Sequence, residues 1–365
     1  MDPHALSFVP PHCPRADCHY HTCASGWHWT RHGTYTRRCE PRVIPRYRCG
    51  HCRRTFSAQS FSPTYWLKRP ELLAAVFHRL LACSGYRQIA REARCDPTTV
   101  MGQAARLGRH ALLVLEERRP RGPLTEPLVI DGFESFAFSQ YHPLHLNLGV
   151  GAESHFGYGF TLAQLRRKGR MTAHQRRRRA ELERRHGRPD PRAVELGVEC
   201  LLRLAARDPQ TLVVRSDEHP AYPRALRRLK GWTIRQERTP STAARTASNP
   251  LFPVNLLDLL LRHNGANHKR ETIAFSKREQ SVVERAAVLL VWRNLIKPFS
   301  ERHGGGTPAM RLGLETRPWT VERLLAERRF PGRIELPAEW RRYYRRALDT
   351  AGIPNPRRHA LRLAF

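Results

Sequence analysis

Two close pairs of cysteines constrain the start of this chain most strongly: Cys13-x4-Cys18, and Cys49-x2-Cys52 inside RYRCGHCRRTFS. Each short pair closes a tight turn that aims both thiolates at one point, so two such pairs suit a tetrahedral zinc site. Six of the nine cysteines lie within the first 52 residues. The opening MDPHALSFVPPHCPRADC has neither the basic nor the apolar stretch of a signal peptide, which points to a reducing, cytoplasmic setting with the protein associated with the nucleoid. There, clustered cysteines indicate metal rather than disulfides. Gly50 suits the second turn, and Tyr47 and Phe56 supply the small core that so short a segment otherwise lacks. Cys23, Cys39, His12, His19 and His21 are spare ligands that read as solvated loop residues, whereas Cys83, Cys95 and Cys200 read as buried thiols in apolar helices.

Charge bears on partners. The chain carries 64 basic against 32 acidic side chains, a net charge of +32, and only six of the basic residues are Lys. Such an excess calls for a polyanion, and duplex DNA is the expected partner. No run of about 18 apolar residues exists, so no membrane-spanning helix is expected. At 365 residues the chain has room for more than one domain.

ELLAAVFHRLLACSG shows helical apolar spacing. The following YRQIAREARCDPTTVMGQAARLGRHALLVL predicts a helix over 86–93, a short turn, and a second helix with Asp96 as N-cap and Pro97 at its first position. That is helix-turn-helix patterning. Ile89, Ala90 and Val100 form its shared core, which leaves Thr98, Thr99, Met101 and Gln103 at the exposed start of a recognition helix.

Beyond the linker ERRPRGPLTEP, the runs PLVIDGFESFAF, PLHLNLGVGAE and HFGYGFTLAQL predict three antiparallel strands. Asp131 ends the first apolar run. TLVVRSDEHPAYPRAL repeats the device, with Asp217 at a strand end before a helix. Two carboxylates at the ends of buried strands suit convergence on a metal. Between them, residues 166–192 hold twelve basic and three acidic residues. This segment is expected to leave the fold as a loop or solvated helix, with Arg176, Arg177, Arg178 and Arg179 gripping phosphates. For a third acid, NPLFPVNLLDLLLRH places Asn255, Asp258 and Arg262 on one helix face; Glu271 in HKRETIAFS and Glu284 are the alternatives. His219, His268, Lys269 and Arg270 are further candidates to neutralise phosphate.

The order of CPRADC, YRCGHCRRTF, the helix-turn-helix, VIDGF, RSDEHPAY and HKRETIAFSKREQSVVERAAVLLVWRNLIKP resembles bacterial insertion-sequence transposases of the insertion-sequence-one-like group. The resemblance covers about residues 10 to 320. It implies a multidomain chain: a zinc ribbon over 1–60, an all-α helix-turn-helix domain over 61–118, and an α/β ribonuclease-H-like DDE core over 119–300. The basic insertion falls at 165–192, and a basic C-terminal extension at 301–365. It further implies Mg²⁺ or Mn²⁺ held by Asp131, Asp217 and a third acid, with Asp258 and Glu271 as the leading catalytic candidates, and action as a homo-oligomer on transposon-end and target DNA. The position matching that group's helical Glu is Asn255 here. A catalytically inactive DNA-binding regulator and a metal-dependent nuclease remain the alternatives.

Overall fold

A computed structural model describes residues 8–353; the end of the expected C-terminal extension, 354–365, lies outside the described residues. The chain begins with an antiparallel sheet of β1 (Trp29–Thr36), β2 (Val43–Cys49) and β3 (Thr55–Ser57), in that order. β1 is exposed along most of its length, and burial falls to Ile44, Tyr47 and Phe56. So small a sheet needs support. Tyr47 stacks on Phe56 at 5.7 Å and packs with Cys13, Cys18, Cys49 and Phe61, and Phe330 from far along the chain completes the cluster.

Three helices follow: α1 (Leu72–Leu81), α2 (Tyr86–Glu92) and α3 (Pro97–Arg118). Asp96 is extended and accepts from Thr98 N at 2.7 Å, with Pro97 at the first helical position, as the sequence predicts. Ile89, Ala90 and Val100 are buried together. Cys83 and Cys95 sit in the short turns between helices, not within them, whereas Cys200 lies within a later helix, Ala193–Ala206, and all three are only partly buried.

A five-stranded mixed sheet forms the centre, in the order β6-β5-β4-β7-β8: β4 (Leu128–Phe136), β5 (Pro143–Gly151), β6 (Gly157–Gln164), β7 (Thr211–Ser216) and β8 (Thr233–Arg238). β4-β5-β6 is the expected antiparallel meander; β7 and β8 run parallel to β4. α4 (Ala173–His186) and α5 (Ala193–Ala206) lie between β6 and β7, and α6 (Ala221–Arg228) between β7 and β8. α4 buries no residue, as its charge requires, whereas α5 lays Leu201 over Gly149 of β5 and Leu204 over Gly159 of β6. α7 (Phe252–Asn264) packs on β4 and β5.

α8 (Glu279–Leu295) crosses α3 so closely that a Cβ at Gly108 would meet the Glu284 backbone at 2.6 Å. With α1, α2 and the later helix Ala338–Tyr344 packed on its other sides, every residue of α3 from Gln103 to Glu116 is buried, and one hydrophobic cluster runs from Leu72 through the sheet to Leu348. The helices and the sheet, expected as separate domains, therefore share a core. The short helices α9 (Pro308–Arg311), α10 (Val321–Leu324) and α11 (Ala338–Tyr344) follow. The segment expected as an extension is packed here: Trp340 is fully buried with its indole N–H donating to Phe160 O at 2.9 Å, and Arg328 N donates to Phe61 O at 2.8 Å.

Candidate functional site

Cysteine geometry comes first. Cys18 N donates to Arg15 O at 3.0 Å and Arg53 N to Cys49 O at 3.1 Å, closing the two turns. The four Sγ atoms of Cys13, Cys18, Cys49 and Cys52 lie within 4.8 Å of one another, with 3.8 Å between Cys13 and Cys52 and 4.0 Å between Cys18 and Cys49. Thiolates about 2.3 Å from a shared tetrahedral ion stand about 3.8 Å apart, so this donor set can hold zinc. Burial opposes ionisation of Cys49, but the Trp27 indole N–H at 3.2 Å and neighbouring backbone N–H groups outweigh it and bring the thiol down to about 7. The His28 ring lies where a Cβ at Gly50 would point, 2.0 Å away. His12 and His21 are not solvated: both are buried, both bond to Cys13 O at 2.9 Å, and burial pushes His12 down to about 4.

The acids converge through the sheet. In the parallel ladder Leu128 pairs with Val214 and Val129 with Arg215. Continuing that register sets Asp131 abreast of Asp217. Asp131 does not end its strand, which runs on to Phe136; it marks the point where β4 and β7 part, since the ladder stops at Val129. Side chains alternate along a strand, so Asp131 shares a face with Phe133, whose ring lies under Arg262 of α7 at 4.5 Å and against His268 at 5.0 Å. Asp258, one turn before Arg262, points into the same space.

The electrostatics agree. Burial, with the nearby charge of Asp217, pushes Asp131 up to about 6 against a bond from Gly132 N at 2.7 Å. Burial and the charge of Asp131 push Asp258 up to about 8, with Arg262 and Arg245 opposing. Asp258 Oδ1 is buried without a hydrogen-bond partner. A buried carboxylate with no partner is costly, and three carboxylate-bearing segments meeting in this way suit a hard divalent cation. The oxygens do not close to contact distance: among the described residues, the only group of three or more such ligands within 4.8 Å is the four cysteines.

Of the other acids, Glu271 is exposed in a loop, and Glu284 is spent in the α3–α8 seam on Arg346 at 3.0 Å. His268 is buried and pushed down to about 3 by burial and by Arg285 and Arg262, so it carries no charge for a phosphate; Ser135 Oγ holds it at 3.2 Å. His219 N caps Asp217 at 2.8 Å.

Three residues escaped the sequence reading. The Tyr222 hydroxyl reaches Asp131 Oδ1 at 3.5 Å, and the charges of Asp131, Asp217 and Asp258, after burial, hold its proton on. Its signal was its place on the first turn of the helix after Asp217. Arg245, in the loop before α7, draws down both Asp131 and Asp258; nothing separates it by pattern from the many other arginines. His145 lies across Gly132, where a Cβ would meet its ring at 1.8 Å, which explains the Gly beside Asp131.

Among expected DNA contacts, Thr98 and Met101 are exposed and Thr99 is half-buried at the start of α3. Gln103 is a correction: it is 2% exposed and donates to Arg69 O at 2.9 Å, because α3 turns it toward α1. The basic insertion forms a helix with a Thr172–Gln175 capping box. Arg178 pairs with Glu181 at 2.6 Å and Arg179 with Glu183 at 3.4 Å, while Arg176 donates to Met171 O at 2.8 Å. Arg177 is exposed and in no ion pair among the described residues.

No helix among the described residues is long and apolar enough to cross a membrane. No family model matches the chain, and no curated protein matches it. Among solved structures it aligns with a chain of the simian T-cell lymphotropic virus intasome, determined by cryo-EM in complex with the PP2A regulatory subunit B56 gamma. The two are 13% identical over 68% of this chain and 74% of that one, with a TM-score of 0.26. A likeness at that level decides neither fold nor activity.

Proposed function

We propose that this chain is a DDE-type DNA transposase that binds duplex DNA through its cysteine module and helix-turn-helix, and cuts and joins strands at Asp131, Asp217 and Asp258. The observation that carries it is Asp258: a buried carboxylate oxygen with no partner, on a helix facing the strand that bears Asp131. The sheet supports the same reading. A central β4, flanked by antiparallel β5-β6 on one side and parallel β7-β8 on the other, is an order that a ribonuclease-H-like core would require.

Asp131, Asp217 and Asp258 would hold Mg²⁺ or Mn²⁺, which when bound would supply activation of an attacking hydroxyl and stabilisation of the leaving oxygen. The chain does the positioning. Tyr222 and Gly132 N fix Asp131 Oδ1, and His219 N fixes Asp217 Oδ1, leaving the second oxygen of each directed by the first. Arg245 supplies positive charge near Asp131 and Asp258, where a phosphate would arrive. Zinc at the four cysteines would hold the ribbon that presents β1 and its basic loop. Bases would be read by Thr98, Thr99 and Met101, and phosphates gripped by the α4 arginines.

The test is a plasmid carrying the gene's own flanking sequences, incubated with the full chain and Mg²⁺. Cleavage at the element ends and joining to a target should both occur. Asp131→Asn, Asp217→Asn and Asp258→Asn should each abolish both while DNA binding survives. Cleavage without joining would make the protein a nuclease. A DNA-binding regulator is the second reading, favoured by the failure of the three acids to approach within 4.8 Å; binding without cleavage in any metal would establish it.

A further inference from the structure

Ile273 is 100% exposed, the most exposed large hydrophobic side chain among the described residues. It stands at a turn in the loop between α7 and α8, and that loop is pinned. Thr272 Oγ1 donates to Ala266 O at 3.0 Å and accepts from Ala274 N at 2.9 Å. On one side Phe275 packs against Phe136 of β4 at 5.5 Å, and Ser276 O accepts from Phe138 N at 2.8 Å. On the other, Ala274 lies against Gly85, the N-cap of α2, where a Cβ would come within 3.3 Å of it. The tip is therefore held between the strand that carries Asp131 and the first helix of the helix-turn-helix.

Charge around it is one-sided. Lys269, Arg270 and Lys277 are exposed and enter no ion pair among the described residues, and Glu271 is the one acid in the loop. Lys277 stands over the Phe275 ring at 5.6 Å, and a bare apolar tip among cations that no acid neutralises matches a polyanion with an apolar interior. Duplex DNA has that chemistry: its phosphates attract the cations, and apolar side chains such as Ile enter between base steps and unstack them. A protein partner would call for a contiguous apolar patch, not one side chain set among cations. We propose that Ile273 is a wedge that parts base pairs beside the cutting site when DNA lies across α2 and the acids. This rests on the DNA-binding reading above.

The test uses the full, zinc-loaded chain with no Mg²⁺ or Mn²⁺ added and two random-sequence duplexes, one fully paired and one with a single central mismatch, each carrying 2-aminopurine beside the centre. A wedge binds best where unstacking is already begun. Wild type should bind the mismatched duplex at least about tenfold tighter, because parting a paired step costs free energy that the mismatch spares. It should also raise 2-aminopurine fluorescence. Ile273→Ser should bind both duplexes alike with fluorescence near that of free DNA, and Ile273→Leu should restore both effects. A serine variant that keeps the preference and the fluorescence would overturn the proposal. So would a variant that alters only the sedimentation of the free protein, since Ile273 would then serve a protein interface. If wild type binds both duplexes equally, the wedge alone fails; if it binds neither, the DNA-binding reading fails with it.

Discussion

Replacing Asp258 by Asn tests the acid site where its energetics are least ordinary. In the unfolded chain an Asp carboxyl titrates near 3.8, and in the folded protein Asp258 is pushed up to about 8. The folded state thus holds a proton that the unfolded state has lost, so stability is full below 3.8 and falls as pH rises through 8. Asp131 contributes the same way only up to about 6. Between pH 6 and pH 8 Glu279, pushed up to about 7 by burial, adds to the loss, and the buried histidines His12, His110, His145 and His155, pushed down to about 4, oppose it. The share of Asp258 in that window is therefore the difference between wild type and Asp258→Asn. One pH unit of full linkage is about 1.4 kcal/mol, a ceiling of about 2.7 kcal/mol across the window. Partial solvent access lowers this to about 1 to 2 kcal/mol. With zinc kept in place and no Mg²⁺ added, the stability of wild type relative to Asp258→Asn in urea denaturation should fall by that much between pH 6 and 8, leaving the variant the more stable protein at pH 8. With Mg²⁺ the order reverses, because the cation binds the ionised carboxylate and displaces its proton; apparent affinity should rise by up to tenfold per pH unit in wild type alone. Parallel pH curves for the two proteins, or equal stabilisation of both by Mg²⁺, would refute the placement of Asp258 among the metal ligands.

Purified protein should contain one equivalent of zinc by elemental analysis. Its removal, or Cys49→Ser, should loosen the ribbon, as read by Trp27 fluorescence, while the sheet keeps its far-ultraviolet signal. Replacing Arg176, Arg177, Arg178 and Arg179 by Gln should weaken all duplexes alike and flatten the log affinity against log salt plot by ~0.9 per lost contact. Two of the four are already paired with Glu181 and Glu183, so the expected change is about 1 to 2 units, and an unchanged slope would make α4 a solvated arm. Gly108→Ala should destabilise the protein by about 1 to 3 kcal/mol in denaturant melts, since its methyl would strike the Glu284 backbone and not a movable side chain.

Local signals were legible. The cysteine spacing, the Asp96–Pro97 helix start and the three antiparallel strands each depend on residues close in sequence, and each appears in the structure. Asp131 and Asp217 could be singled out because both follow apolar strand residues, and the helical face of Asp258 followed from its spacing to Arg262. What was not legible depends on distant packing. Nothing near Gln103 announces α8, whose crossing at Gly108 buries the later turns of α3. Likewise the contact of Arg328 with Phe61 joins residues hundreds of positions apart, so the C-terminal segment looked like an unattached extension. Arg245 acts through space on acids from other elements, and no local pattern marks it; Tyr222 had only its place after Asp217 to mark it.

α3 is continuous for 22 residues, a rod about 33 Å long, with its first turn exposed and its remainder fixed in the core beside the sheet. One turn of duplex DNA is about 34 Å. On a transposase, such a rod would hold the turn that reads bases at a set separation from the core that carries the acids, with no hinge to absorb a change. An element end lengthened by a few base pairs would then be bound as before but cut at the wrong nucleotide or not at all, so the spacing within the end, as much as its letters, would define the substrate.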